Sequence, residues 1–278
     1  MSDFPASDSF NDVPTSIEKP IDTWDVLVDV AATLTQSKYK NDFLMRGMFV
    51  LRSFLYDKID NNLLRATTDI DSDFKNIESW ESLVSEIETL LTENSKLGVQ
   101  YVVAKRRGFH ANPNSDSLQI YAKSQSADIR ISLDMNIRTW KESQIYMLPQ
   151  LTFEANTFYT MLCDKISVLT QARLQRRIKD LYDVYLIQRS VDIDMDKLVS
   201  VWTQENRTLG EPIAILSPEL LPNLKHAFEA YRGFHKSVNF DETYTEVIDF
   251  AEDIFQVLYG YDSHNKRRWV ISDRRWIY

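Results

Sequence analysis

The sequence predicts an α+β protein in which a mixed sheet with helices is followed by a helical C-terminal half. Up to about residue 153, short stretches with strand character alternate with segments of helical periodicity. Beyond that point the apolar residues recur mainly at helical spacing. The 44% apolar and 12% aromatic content suits a globular core. We therefore expect a flexible tail over residues 1–20, a mixed core over 21–153 and a helical domain over 154–278.

The beginning of the chain shows where folded structure starts. Ser, Asp, Asn and Pro dominate the first twenty residues, which therefore have little to bury. A helix is predicted from Thr23, because apolar residues recur at helical spacing as far as Leu34. A short apolar run, Phe43–Met45, then leads through Gly47 into a helical segment that extends to Leu55. This order predicts a strand, a turn and a helix.

The remaining elements follow from the same patterns. An amphipathic helix is predicted over 77–97. Strands are predicted over 99–104, 118–122, 129–137 and 145–153, the last with Pro149 at an edge or bend. Helical segments follow at 155–171, 174–190, 195–206, 217–232 and 240–258, and the end of the chain is basic and aromatic.

The stretch Thr67–Phe74 carries the strongest chemical signal. Read as a strand, it places Asp69 and Asp71 on the same face and turns Ile70 into the core. Two neighbouring carboxylates repel each other, and a divalent metal is the usual way to offset that cost. Mg²⁺ takes one or two carboxylates and completes its shell with substrate phosphates. The alternative interpretation is a solvated acidic strand end near a turn.

A third carboxylate and the glycine turn extend this signal. Asp134 lies among apolar residues of a predicted strand, where a lone carboxylate needs a partner. If that strand pairs with the acidic strand, Asp69, Asp71 and Asp134 converge and can hold two metal ions, as in nucleotidyl transfer. Gly47 leaves backbone N–H groups free at a helix N-terminus, where a phosphate can bind. The alternative for Asp134 is a strand-end residue hydrogen-bonded to a neighbouring loop.

Three motifs follow one another between residues 40 and 190. They are Phe43–Val50 around the glycine turn, Arg65–Asp71 on the acidic strand, and Lys165 with Arg173 and Arg177–Asp183. Together they resemble the glycine turn, the acidic strand and the two basic–acidic helices of the nucleotidyltransferase-like toxins of abortive-infection type, the AbiEii/AbiGii toxin family. The glycine turn departs from the family's usual pattern of two small residues followed by Ser or Thr.

The resemblance implies a polymerase-β-like nucleotidyltransferase core with a helical C-terminal part. It also implies Mg²⁺- or Mn²⁺-dependent transfer of a nucleoside monophosphate from an NTP, in relatives to tRNA ends. The residues it implies are Asp69, Asp71 and Asp134 for metal, these three with Lys165 and Asp180 for catalysis, and Arg46, Gly47, Thr67 and Lys165 for the nucleotide. A cognate antitoxin is the implied protein partner.

Lys165 and Asp180 each have a second interpretation. Lys165 interrupts an apolar helix face, so it either reaches solvent along that face or meets a phosphate. Asp180 and Asp183 are three residues apart and share a helix face. They steer Lys165 or a substrate hydroxyl in one interpretation, and form salt bridges to neighbouring arginines in the other.

Composition narrows the class of protein. The net charge of −9 argues against nonspecific coating of nucleic acid, although a local basic patch could still bind a phosphate backbone. One cysteine excludes an internal disulfide framework, and four scattered histidines make zinc a poor expectation. We see no signal peptide and no apolar run long enough to span a membrane, so we expect a soluble cytoplasmic protein without a membrane partner.

The predicted function is transfer of a nucleoside monophosphate to an RNA 3′ end. The expected RNA-binding residues are three basic runs: Lys105–Arg107, Arg173–Lys179 and Lys266–Trp276. The last of them is interleaved with aromatic residues that suit stacking on unpaired bases. Charge runs are also common as solvated surfaces. Transfer to a protein hydroxyl, and a catalytically weak member acting as a binding module, are the two alternatives.

Overall fold

The computed structural model describes residues 21–105, 114–124, 128–260 and 266–278. The predicted tail over 1–20 lies outside the described residues. So do Arg106 and Arg107 of the first basic run.

A seven-stranded mixed sheet forms the first half, with strand order β3-β4-β5-β2-β1-β7-β6. Its strands are β1 (Phe43–Arg46), β2 (Asp69–Phe74), β3 (Gln100–Lys105), β4 (Ser115–Lys123), β5 (Asp128–Ile137), β6 (Gln144–Leu148) and β7 (Leu151–Ala155). The single strand expected over 145–153 is wrong: Pro149 lies in the turn of a hairpin that joins β6 to β7. A proline has no N–H to give to a ladder, which suits it to this turn.

The centre of the sheet brings the acidic strand between two partners. β2 runs parallel to β5, with Asp71 opposite Asp134, and antiparallel to β1, with Asp71 opposite Arg46. The strand pairing on which the convergence of Asp69, Asp71 and Asp134 was made conditional is therefore present. Because side chains alternate along a strand, one face carries the polar residues, while Ile70 and Leu133 are fully buried on the other.

Helices cover this sheet and build the second half. They are α1 (Thr23–Leu34), α2 (Gly47–Leu55), α3 (Trp80–Asn94), α4 (Phe158–Leu169), α5 (Ile178–Gln188), α6 (Met195–Gln204), α7 (Leu221–Ala230) and α8 (Phe240–Leu258). α1 and α3 pack together against the sheet, and α2 packs against the sheet and against α4 of the second half. One continuous hydrophobic core includes residues of both halves. The division at residue 153 stays a prediction.

The aromatic residues of the C-terminal basic run, which we expected to be exposed and to stack on bases, are largely buried. A small antiparallel sheet joins β8 (Ile193–Asp194), β9 (Arg268–Val270) and β10 (Arg275–Ile277). Trp269 and Trp276 are buried and pack against Phe250, so neither ring can stack on a base. Burial of these large apolar rings against α8 decides their role. Among the described helices, none is long and apolar enough to cross a membrane.

Candidate active site

A cleft of about 780 Å³ opens where the polar face of the sheet meets α4 and α5. Eight of its lining residues among those described are basic, and four are acidic. The basic residues are Arg46, Arg65, Arg138, Lys165, Arg176, Arg177, Lys179 and Arg207; the acidic ones are Asp69, Asp71, Asp164 and Asp180. A positive cleft in a chain of net charge −9 favours an anionic ligand.

Gly47 brings the start of α2 against the acidic strand. Its φ of +71° is in the left-handed region, which glycine adopts without the penalty of a side chain. A Cβ at this position would lie 1.9 Å from Asp71 Oδ2, so only glycine allows this approach. No side chain caps the start of α2, and Gly47 and Met48 line the cleft. The helix N-terminus therefore offers backbone N–H groups to an anion.

Asp71 is the centre of the carboxylate cluster. Burial, and then the negative charges of Asp69 and Asp134, raise the pKa of the Asp71 carboxyl to about 6. Thr67 donates its hydroxyl to Asp69 Oδ1 over 2.7 Å, and Ser117 donates to Asp134 Oδ1 over 2.5 Å. The three acids therefore influence one another, but only Asp69 and Asp71 line the cleft.

The cluster fits a cation, although it is not already arranged around one. Among the described residues, no group of three carboxylate, histidine or cysteine side chains has the spacing of a metal site. The side chain of Asp134 is directed to Ser117, and Thr67 is buried beside Asp69 without lining the cleft. Burial, together with the negative charges of Asp69 and Asp134, disfavours the ionised form of Asp71, and a divalent cation would offset the repulsion among these carboxylates. The metal assignments stay predictions.

A buried ion network holds Lys165 at the other side of the cleft. Its Nζ lies 2.5 Å from Asp180 Oδ1 and 2.8 Å from Asp183 Oδ2. Asp183, which is fully buried, also accepts two hydrogen bonds from Arg65, and Asp180 accepts one from Arg177. Burial alone would lower the pKa of the Lys165 ammonium, but the two carboxylates outweigh it and raise that pKa. Asp180 therefore contacts Lys165, as in the first interpretation from the sequence, and also forms a salt bridge to Arg177, as in the second.

Arg46 is likewise engaged. Its guanidinium donates to Asp73 over 2.7 Å and to Asp164 over 3.4 Å, and Arg207 binds Asp164 from the second half over 2.7 Å. Asp73 is buried, and its Oδ1 has no hydrogen-bond partner among the described residues. The charge that the sequence assigned to nucleotide binding is therefore largely neutralised by carboxylates of the protein.

The structure brings together most of the predicted residues and adds others. Arg46, Gly47, Asp69, Asp71, Lys165 and Asp180 all line the cleft. Sequence reasoning missed Asp73, although its position two residues after Asp71 on the same strand was a usable signal. It also missed Asn136 and Arg138, which follow Asp134 at the end of β5, and Arg207, which arrives from a distant loop and carries no local signal.

Comparisons with known proteins give one matching family and solved structures that align with the chain. The model of the family described as "Nucleotidyl transferase AbiEii toxin, Type IV TA system" matches residues 29–253. A crystal structure of a candidate nucleotidyltransferase from Helicobacter pylori is similar in fold, with a TM-score of 0.57 and 14% identity, over 87% of this chain and 97% of that one. The structure of JHP933 from Helicobacter pylori aligns with a TM-score of 0.44 and 12% identity, over 85% of this chain and 91% of that one.

No curated protein matches the chain. The family match covers far more than half of the chain and includes the glycine turn, the acidic strand and the ion network. The chain therefore belongs to the AbiEii nucleotidyl transferase toxin family.

Proposed function

We propose that the chain transfers a nucleoside monophosphate from an NTP to the 3′ hydroxyl of an RNA such as tRNA. The observation that carries the proposal is the contact of Gly47 with Asp71 inside a basic cleft. This contact sets a helix N-terminus, of the kind that can bind phosphate, directly beside neighbouring carboxylates that repel one another. This pairing suits a ligand that combines phosphates with a divalent cation.

Asp69 and Asp71 would hold Mg²⁺ or Mn²⁺, and Asp134 would join them by releasing Ser117. Such a cation, when bound, neutralises phosphate charge and lowers the pKa of an attacking hydroxyl. The 3′ oxygen forms a bond to the α-phosphorus, the bond to the β-phosphate oxygen breaks, and pyrophosphate leaves. The hydroxyl proton passes to the carboxylate cluster.

The chain's own residues would hold the reactants in place. The first N–H groups of α2 bind the phosphates and need no reorganisation, since the fold already directs them into the cleft. Lys165 is held between Asp180 and Asp183, so it contributes a fixed positive charge near the cleft. The exposed Arg176 on the helical wall is suited to the acceptor backbone.

The experiment is a transfer assay with each labelled NTP, Mg²⁺ and either tRNA or lysate protein. We expect label on RNA with the wild type, and its loss in Asp71→Asn. Asp128→Asn is the matched control, because Asp128 is an exposed carboxylate at the far end of β5. Label on protein alone would replace RNA by a protein hydroxyl as acceptor. Absence of transfer with every NTP and acceptor would contradict the proposal and favour a binding module.

The family description also names a type IV toxin–antitoxin system. We infer that a cognate antitoxin accompanies this chain.

A further inference from the structure

The cations that the sequence assigned to the nucleotide are already bound by carboxylates. Arg46 pairs with Asp73 and Asp164, and Lys165 pairs with two acids of α5. Releasing either cation would remove an ion-pair partner from a buried carboxylate, which is costly. A different cation is therefore better placed to bind a new anion, and the sheet wall of the cleft provides one.

Arg138 lines the cleft directly after β5 and is exposed. Its backbone N–H donates to the carbonyl of Phe74 over 3.0 Å, which fixes its position beside β2. Among the described residues it forms no ion pair. Burial raises the pKa of Asp73, and the positive charge of Arg138 partly opposes this rise although the two side chains are not paired.

Arg138 lies where it could contact the phosphates of a nucleotide bound at the carboxylate cluster. Pairing of β5 with β2 puts Arg138 beyond Phe74, about 13 Å further along the strand direction than Asp71. Arg46 and the N-terminus of α2 flank Asp71 from β1, on the other side of β2 from Arg138. Anionic groups that extend from the carboxylate cluster towards the end of β5 would meet the Arg138 guanidinium.

We propose that Arg138 binds the polyphosphate of the nucleotide, with Asn136 beside it in the cleft as a neutral hydrogen-bond donor. This rests on the proposed function, because it deepens the description of the same site. A guanidinium presents two parallel N–H donors, which match the geometry of phosphate oxygens. Because Arg138 has no ion-pair partner in the described part of the chain, binding there breaks no ion pair between described residues.

The test is calorimetric titration with tripolyphosphate and Mg²⁺, and separately with a single-stranded oligonucleotide. We expect Arg138→Gln to weaken tripolyphosphate binding at least about tenfold, since hydrogen bonds to charged groups carry this much affinity. Arg138→Lys should recover part of it. Arg130→Gln is the matched control: Arg130 is exposed on the same strand, forms no ion pair with described residues and does not line the cleft.

Equal affinity of wild type and Arg138→Gln would overturn the assignment, as would equal losses in Arg138→Gln and Arg130→Gln. A loss confined to the oligonucleotide would assign Arg138 to the acceptor backbone instead. Lack of tripolyphosphate binding by the wild type would also overturn it. The titration measures binding alone, so the two proposals can fail separately. If the protein binds tripolyphosphate but transfers no nucleotide, only the transfer reaction is contradicted. If transfer occurs and Arg138→Gln binds tripolyphosphate as the wild type does, only this role of Arg138 is contradicted.

Discussion

Replacement of Gly47 by alanine tests the geometry on which the site depends. The new Cβ would lie 1.9 Å from Asp71 Oδ2, whereas ordinary contacts between such atoms begin near 3.4 Å. Asp71 or the start of α2 must therefore move by roughly 1 Å or more. A displacement of this size at a reacting centre costs about 100-fold in rate. The left-handed φ of +71° adds a backbone cost of about 1–2 kcal/mol.

Gly98→Ala separates these two effects. Gly98 also has a positive φ, +65°, but a Cβ there meets nothing within 4 Å. Thermal unfolding followed by circular dichroism should show a stability loss in both variants, because both force alanine into the left-handed region, and a larger loss in Gly47→Ala, whose Cβ also displaces Asp71 or α2. Only Gly47→Ala should lose nucleotidyl transfer by about 100-fold. Wild-type transfer by folded Gly47→Ala would refute the role of this contact.

Three further predictions follow from the charges of the site. Because the pKa of Asp71 is raised to about 6, its ionised form lowers the stability of the fold as pH rises through that value. Asp71→Asn should therefore have a higher melting temperature than the wild type at pH 8, and the difference should disappear towards pH 4. A constant difference across that pH range would contradict the burial of charge at Asp71. Asp183→Asn should lower the free energy of unfolding by about 3–5 kcal/mol, because it leaves buried basic partners unpaired. Arg177→Ala, at a side chain that is 57% exposed, should lower it by no more than about 1 kcal/mol. Equal losses for the two variants in urea titrations would show that the network is not buried in solution. Arg176→Glu should reduce the slope of log K for RNA binding against log salt concentration by about 0.7 for each phosphate that is no longer neutralised. The reduction should be larger than in Arg173→Glu, because only Arg176 of the two lines the cleft. Identical slopes for the two variants in filter-binding assays would place the RNA site elsewhere.

Local patterns in the sequence determined much of the fold. Alternation along Asp69–Phe74 was enough to predict a strand with Ile70 in the core and with Asp69 and Asp71 on the opposite face, because successive side chains on a strand point to opposite faces. Helical periodicity located α8 over Phe240–Leu258 with its bounds. The glycine turn was also readable, since a strand, a glycine and a helix follow one another along the chain.

What each charged residue contacts was decided by tertiary structure. Spacing put Asp180 and Asp183 on one helix face, but their partners Lys165 and Arg65 come from distant parts of the chain. Likewise, an interleaved basic and aromatic end resembles a stacking surface until the tryptophans are found buried against α8. Sequence alone determined which residues can carry the chemistry, because that depends on residue type and local spacing. Only the tertiary structure decided which charges are neutralised and which remain free to bind a ligand, because ion pairs and burial depend on contacts between segments far apart in the chain.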